Sequence, residues 1–124
     1  GEAESGMVEI DANSNAQETV LAYFEKIRAR DPGVADLFHE TGKLLGLGRV
    51  TAGRDAIRDF YADSIARASP TPELIGDLLA SDSRVAAEIQ IALANGTSIH
   101  VVDLFVVEDG HIRSLTYFLA DHAD

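Results

Sequence analysis

The sequence predicts an α+β domain in which helices cover one face of a curved antiparallel sheet and enclose a small pocket. Three observations carry this expectation. Apolar residues recur at helical spacing through the first half of the chain. From Pro72 onward the pattern becomes alternating strands. Two strong hairpin signals, Asn95-Gly96 and Glu108-Asp109-Gly110, then divide those strands into a meander.

Residues 1–13 are polar, acidic and aperiodic, and are expected to form a flexible tail, with Gly1–Gly6 a remnant of processing or cloning ahead of Met7. The remaining residues, 14–124, suit a single domain with one core. Ser14 with Gln17 makes a capping box, and Val20, Leu21, Phe24 and Ile27 fall on one stripe, so a helix is predicted from Ser14 to about Arg30. Asp31-Pro32-Gly33 stops it, leaving room for a short second helix over Val34–Phe38. Lys43–Leu47 reads as a brief, glycine-interrupted edge strand. Ile57, Phe60, Tyr61, Ile65 and Ala68 define a third helix that ends at Ser69-Pro70. Three helices are thus expected before any long strand. The strands follow at Pro72–Ala80, Val85–Leu93, Ser98–Val107 and His111–Ala120.

Composition excludes several functions. Twenty-one Asp and Glu against ten Lys and Arg give a formal charge of -11, with the basic residues scattered. Nucleic acid and anionic membranes are therefore not expected as partners. No apolar run approaches the roughly 18 residues of a membrane span, and the N-terminus lacks a basic-then-apolar leader, so a cytoplasmic protein is expected. With no cysteine, disulfides and thiolate chemistry are excluded. His39, His100, His111 and His122 are dispersed over different elements, and neither a calcium loop nor a phosphate-cradling glycine loop occurs. No metal and no cofactor are expected.

Register decides which residues share a face. If Asn95-Gly96 is a two-residue type I′ turn, Ala94 lies opposite Thr97, and counting back pairs Glu88 with Asp103, Gln90 with Val101 and Ala86 with Phe105. A three-residue loop with Gly110 as a bulge, the preferred reading because Glu-Asp-Gly suits a type I turn followed by a left-handed glycine, adds Leu115 and Tyr117 to that mixed face, opposite Asp103 and Val101. A two-residue loop would instead set Thr116 opposite Asp103. The other face is aliphatic, with Ile89, Ile91, Leu93, Val102, Leu104 and Val106, and carries His100. On pattern alone, either face could meet the helices.

The order of elements, with the segments AQETVLAYFEKI, GRDAIRDFY and HVVDLFVVEDGHIRSLTYF, resembles the nuclear transport factor 2-like superfamily, and most of all its SnoaL-like and ketosteroid-isomerase-like branches. The resemblance spans Asn15 to Ala120. It implies a cystatin-like cone, with three N-terminal helices on the concave face of the sheet and a homodimer through the outer face. It turns the mixed face inward, and Asp103 matches a pocket acid that stabilises an oxyanion in the isomerases. Their general-base aspartate falls on Gly46 here, and their helix-borne tyrosine aligns nearest Lys26, with Tyr23 one turn earlier. Steroid isomerisation is accordingly not expected. The Asp-Arg-Asp set of the epoxide-hydrolase branch is also missing, Tyr117 standing where one of its aspartates would be.

The chemistry expected is cofactor-free acid/base catalysis, as an isomerase, cyclase or lyase, on a small hydrophobic carbonyl compound. Asp103 is the principal acid/base and Glu88 its partner, because two facing carboxyls share a proton near neutrality. Tyr117 and Gln90 orient a substrate oxygen, and His39 is a further candidate base. Val101, Phe105, Leu115, Leu119, Tyr23, Phe24 and Tyr61 are the candidate lining. A non-catalytic ligand-binding or dimerisation module of the same fold is the alternative.

Overall fold

The computed structural model describes residues 2–120, with side chains from Asn15 onward; Gly1 and the last four residues, with His122, lie outside it. Helix α1 spans Glu2–Arg28 and a short 3-10 helix spans Pro32–Leu37. Strands β1 (Phe38–Gly46) and β2 (Arg49–Ala52) form a hairpin, and helix α2 covers Arg54–Ala68. The remaining strands are β3 (Thr71–Leu74), β4 (Leu79–Ser81), β5 (Arg84–Ala92), β6 (Ser98–Glu108) and β7 (His111–Leu119). They build one open sheet in the order β2-β1-β7-β6-β5-β3, with β4 also on β5.

Several expectations need correction. α1 runs through Ser14 without a break, so Ser14 is not its first cap; no proline interrupts the preceding stretch. The nine-residue β1 and its hairpin partner stand before α2, so the three helices do not all precede the long strands. Lys43–Leu47 is not an edge: β1 lies between β2 and β7. The sheet is not wholly antiparallel, because β1 and β7 run parallel. Between them the chain crosses through α2 to the far edge at β3, and such a crossover is what a parallel neighbour requires. The single strand expected over Pro72–Ala80 is two, broken where Gly76 takes a φ of +76°.

The helices pack on one face of the sheet. Ala16, Val20, Tyr23, Phe24 and Ile27 of α1 and Ile57 and Tyr61 of α2 are buried against Val85, Ala87, Ile89, Val101, Phe105 and Leu115. Aromatic rings hold this contact in edge-to-face pairs, with Tyr23 5.1 Å from Phe105 and Phe24 5.8 Å from it. α2 ends where Ser69 turns left-handed and donates its N–H to Ile65 O, just before Pro70. Arg54, at the start of α2, ties that end to the sheet by donating from Nε and Nη2 to Phe38 O.

Both hairpins differ from the predicted geometry. Type I′ needs positive φ at both turn residues, yet only Gly96 of Asn95-Gly96 has it. Gly96 N–H donates to Leu93 O and Leu93 N–H to Thr97 O, making a three-residue loop with the glycine as its bulge. Ala92 therefore faces Ser98, and Asp103 faces Ala87, not Glu88. The other loop is the two-residue one: Asp109 (φ +53°) and Gly110 (φ +74°) join the paired Glu108 and His111. A register shift then falls between Val106 and Val107, with Arg113 the extra residue, and restores the predicted facing of β7. Leu115, Tyr117 and Leu119 share the face of Asp103, and the residue opposite Asp103 is Tyr117, with Leu115 opposite Phe105.

Candidate functional site

Under the helices lies a cavity of about 210 Å³. Its lining is mostly apolar, including Ile27, Leu44, Phe60, Pro72, Ile89 and Val101, and its polar groups are Asp103, Tyr23, Tyr61, Tyr117 and Ser64. Among the described residues, no lysine or arginine lines it. Asp103 is only 4% exposed, although it is the central residue of β6. Its neighbours Val101 and Phe105 bury the same strand face, so alternation forces a carboxyl into the apolar layer.

No hydrogen bond ties the Asp103 carboxyl to any described residue, and burial disfavours its charged form. Desolvation raises its pKa to about 7. Above it, the hydroxyls of Tyr23 and Tyr61 meet at 2.8 Å. Burial holds the pKa of both tyrosines well above the ordinary phenol value, and the Asp103 charge pushes each in the same direction. Both therefore stay protonated. A pair of hydroxyls has two protons but spends one on the bond between them, leaving one for a third group.

Tyr117 completes the polar end from β7. Its ring lies across Gly46, where an added Cβ would overlap it. Gly46 is thus small because of this close approach and not because of its backbone, whose φ is not positive. An acid at position 46, as the isomerase resemblance would require, could not coexist with this ring.

Eight of the twelve candidate residues line the cavity: Asp103, Tyr117, Val101, Leu115, Leu119, Tyr23, Phe24 and Tyr61. The other four do not. Glu88 points to the opposite face of the sheet, where its Oε2 lies 2.7 Å from His100 Nε2. Gln90 shares that face and donates to Ser98 Oγ at 2.8 Å. Both were displaced by the one-residue register error at Asn95-Gly96. Phe105 is fully buried in the core beneath Tyr23 and Phe24. His39 sits at the start of β1, away from the cavity, with its ring 5.8 Å from that of His111; its Nε2 is buried without a partner among the described residues.

The same error hid Ile89 and Ile91, which line the cavity instead of lying on an outer aliphatic face. Ser64 could have been found in the sequence, since it falls one helical turn after Phe60 and Tyr61. Among the described residues, no group of three or more His, Cys, Asp or Glu gathers to hold a metal ion, and no helix is long and apolar enough to cross a membrane.

Solved structures share this architecture at low sequence identity. A protein with a cystatin-like fold from Methylobium petroleophilum PM1 superposes with a TM-score of 0.79 at 12% identity, over 90% of this chain and 80% of its own. A nuclear transport factor 2-like protein from Mesorhizobium loti gives 0.77 at 18% identity, over 88% and 93%. A candidate SnoaL-like polyketide cyclase from Jannaschia sp. CCS1 gives 0.73 at 15% identity, over 87% of each chain. These likenesses establish a curved, open α+β sheet of the cystatin-like kind. No curated protein matches the chain. The model of the SnoaL-like domain matches residues 20–115, which hold both tyrosines of the hydroxyl pair and Asp103, and the chain belongs to that family within the nuclear transport factor 2-like superfamily.

Proposed function

We propose that the protein is a cofactor-independent acid/base enzyme, an isomerase, cyclase or lyase, acting on a small, mostly apolar carbonyl compound. The observation that carries this reading is Asp103: a buried carboxyl in an apolar cavity, with its pKa raised to about 7 and three tyrosine hydroxyls on the same cavity. A general base works best when its pKa lies near the working pH. The family match is consistent with this chemistry but does not specify a reaction.

With Glu88 on the other face, one carboxyl must serve both steps. Asp103 takes a proton from the carbon next to the carbonyl, and the electron pair of that C–H bond moves into the enolate. The oxygen then accepts a hydrogen bond from the surplus proton of the Tyr23–Tyr61 pair or from the Tyr117 hydroxyl. In an isomerisation Asp103 returns its proton to a different carbon. In a cyclisation the enolate carbon attacks a second carbonyl of the same molecule, and Asp103 protonates the alkoxide formed. The absence of lysine and arginine from the lining favours a neutral substrate over a carboxylate or phosphate.

Deuterium exchange at the α-carbons of small cyclic ketones, followed by NMR in heavy water, tests the reading. Wild type should exchange above the buffer rate, and Asp103→Asn should not. Equal exchange in the two proteins would remove Asp103 from the chemistry. Ketone binding without exchange would mark a non-catalytic binding module of the same fold.

We also propose that the outer face of the sheet is covered by a second copy of the chain. Phe118 is 55% exposed there, beside its cross-strand partner Val102, in a band with Leu104 and Val106. Sedimentation at micromolar concentration should show a dimer that Phe118→Glu dissociates. A wild-type monomer would refute this assignment.

A further inference from the structure

The tip of the β1–β2 hairpin carries an unusual residue. Gly46 pairs with Arg49, so Leu47 and Gly48 form a two-residue turn, and both have positive φ, +53° and +74°. That is type I′ geometry, whose first position ordinarily holds Asn, Asp or Gly. A leucine there pays the clash between its Cβ and the carbonyl oxygen. The sheet supplies its own comparison: the β6–β7 turn has the same pair of angles and uses Asp109-Gly110.

Leu47 is also 68% exposed, so packing in the core does not hold it in place. Its side chain nevertheless lines the cavity. It lines as well a neighbouring pocket bounded by Phe118 and Ala120, and the residues common to both are Leu47, Ile99, Tyr117 and Leu119. These four stand between the two and mark the end of the cavity that opens away from the core, here called the doorway. Within a single copy of the chain, an exposed, strained leucine at that place fills no role that a smaller polar residue would not fill at lower cost.

We propose that Leu47 is a specificity-determining residue that closes the outer end of the cavity over the apolar part of the bound molecule. Polar recognition then belongs to Asp103 and the tyrosines at the inner end, and Leu47 selects for a hydrocarbon tail reaching the doorway. The proposal rests on the reading of the cavity as a site for a small apolar compound, and not on the proton-transfer chemistry.

The test compares Leu47→Asn and Leu47→Met with wild type, using 2-naphthol as the probe because it is neutral, mostly apolar and an enolate mimic when ionised. Asparagine tolerates the left-handed angle, so Leu47→Asn should melt a few degrees higher than wild type. It should also bind 2-naphthol about tenfold more weakly, the loss expected for roughly half of a leucine side chain buried against the ligand. Leu47→Met keeps an apolar contact and should bind within about twofold of wild type. Unchanged affinity in Leu47→Asn, or a lower melting temperature, overturns the proposal while leaving the cavity reading intact. Failure of wild type to bind 2-naphthol at millimolar concentration overturns the cavity reading and this inference with it.

Discussion

Replacing Asp103 with asparagine should change how stability depends on pH, in a direction set by the buried carboxyl. In the folded protein Asp103 titrates at about 7, and its ordinary value is 3.8. Between those values the folded state holds a proton that the unfolded state has released, so raising the pH favours unfolding. The cost grows by about 1.4 kcal/mol per pH unit and levels off above about pH 7, at about 4 kcal/mol in all. For a domain whose total stability is on the order of 5–15 kcal/mol, that is a large share. Asp103→Asn is isosteric and does not titrate, so it lacks this loss. Urea unfolding of both proteins at several values between about pH 4 and pH 8 isolates the group, because every other titration is common to the two. Near pH 4 they should be of similar stability, and at pH 8 the variant should be more stable by several kcal/mol. A difference that stays constant across the range would show that the carboxyl is solvated. Wild type gaining on the variant as pH rises would mean that a cation pairs with Asp103, and either result refutes the argument.

Further tests address the rest of the site. α-Proton exchange should rise with pH to a plateau above about 7, since the carboxylate of Asp103 is the base; a profile that falls through neutrality would assign it the acid role instead. Tyr61→Phe leaves the Tyr23 hydroxyl without its buried partner and should cost about 1–2 kcal/mol in thermal or urea unfolding, whereas no loss would mean that water already occupies the pair. Gly46→Ala should cost about 1–3 kcal/mol by displacing the Tyr117 ring. In a Tyr117→Ala background that cost should largely vanish, and if it persists, the glycine serves some other purpose. Glu88→Gln should leave both stability and α-proton exchange unchanged, and a loss of exchange would revive the paired-carboxyl mechanism.

The two main helices and the three long C-terminal strands were legible because burial imposes a period on them, whereas β2 and most of β1 were not. Phe24 and Ile27 announce a buried stripe by spacing alone, whereas alternation only groups Val101, Asp103 and Phe105 on one face of β6, and it was the family resemblance that turned this face inward. Asp103 was singled out by its match to the pocket acid of the isomerases and by an expected pairing with Glu88, and only the first of these grounds agrees with the structure. The register was not legible in the same way, because Asn95-Gly96 fits a two-residue and a three-residue loop equally well, and the strands beyond it continue for nine and eleven residues with apolar side chains on both faces. That one residue moved Glu88 and Gln90 from pocket to exterior. On β7 a wrong loop and an unforeseen bulge cancelled, so Tyr117, Leu115 and Leu119 were placed inward through an incorrect count. The close approach of Tyr117 to Gly46 joins strands that are neighbours only through the parallel pairing of β1 with β7, which no local pattern encodes.

The extra residue at Arg113 has a consequence for how this site can vary. Ile112 and Leu115 are both fully buried although three positions separate them, a spacing that a regular strand would put on opposite faces. The bulge is slack in the strand. Removing one residue there would straighten β7 and still leave Tyr117 across from Asp103, with the two-residue turn at Asp109-Gly110 unchanged. The bulge is also tied to β1, where Arg113 Nη1 donates to Thr41 Oγ1 at 2.9 Å. A turn one residue longer at Asp109-Gly110 could be offset by losing this spare residue, and Tyr117 would still face Asp103.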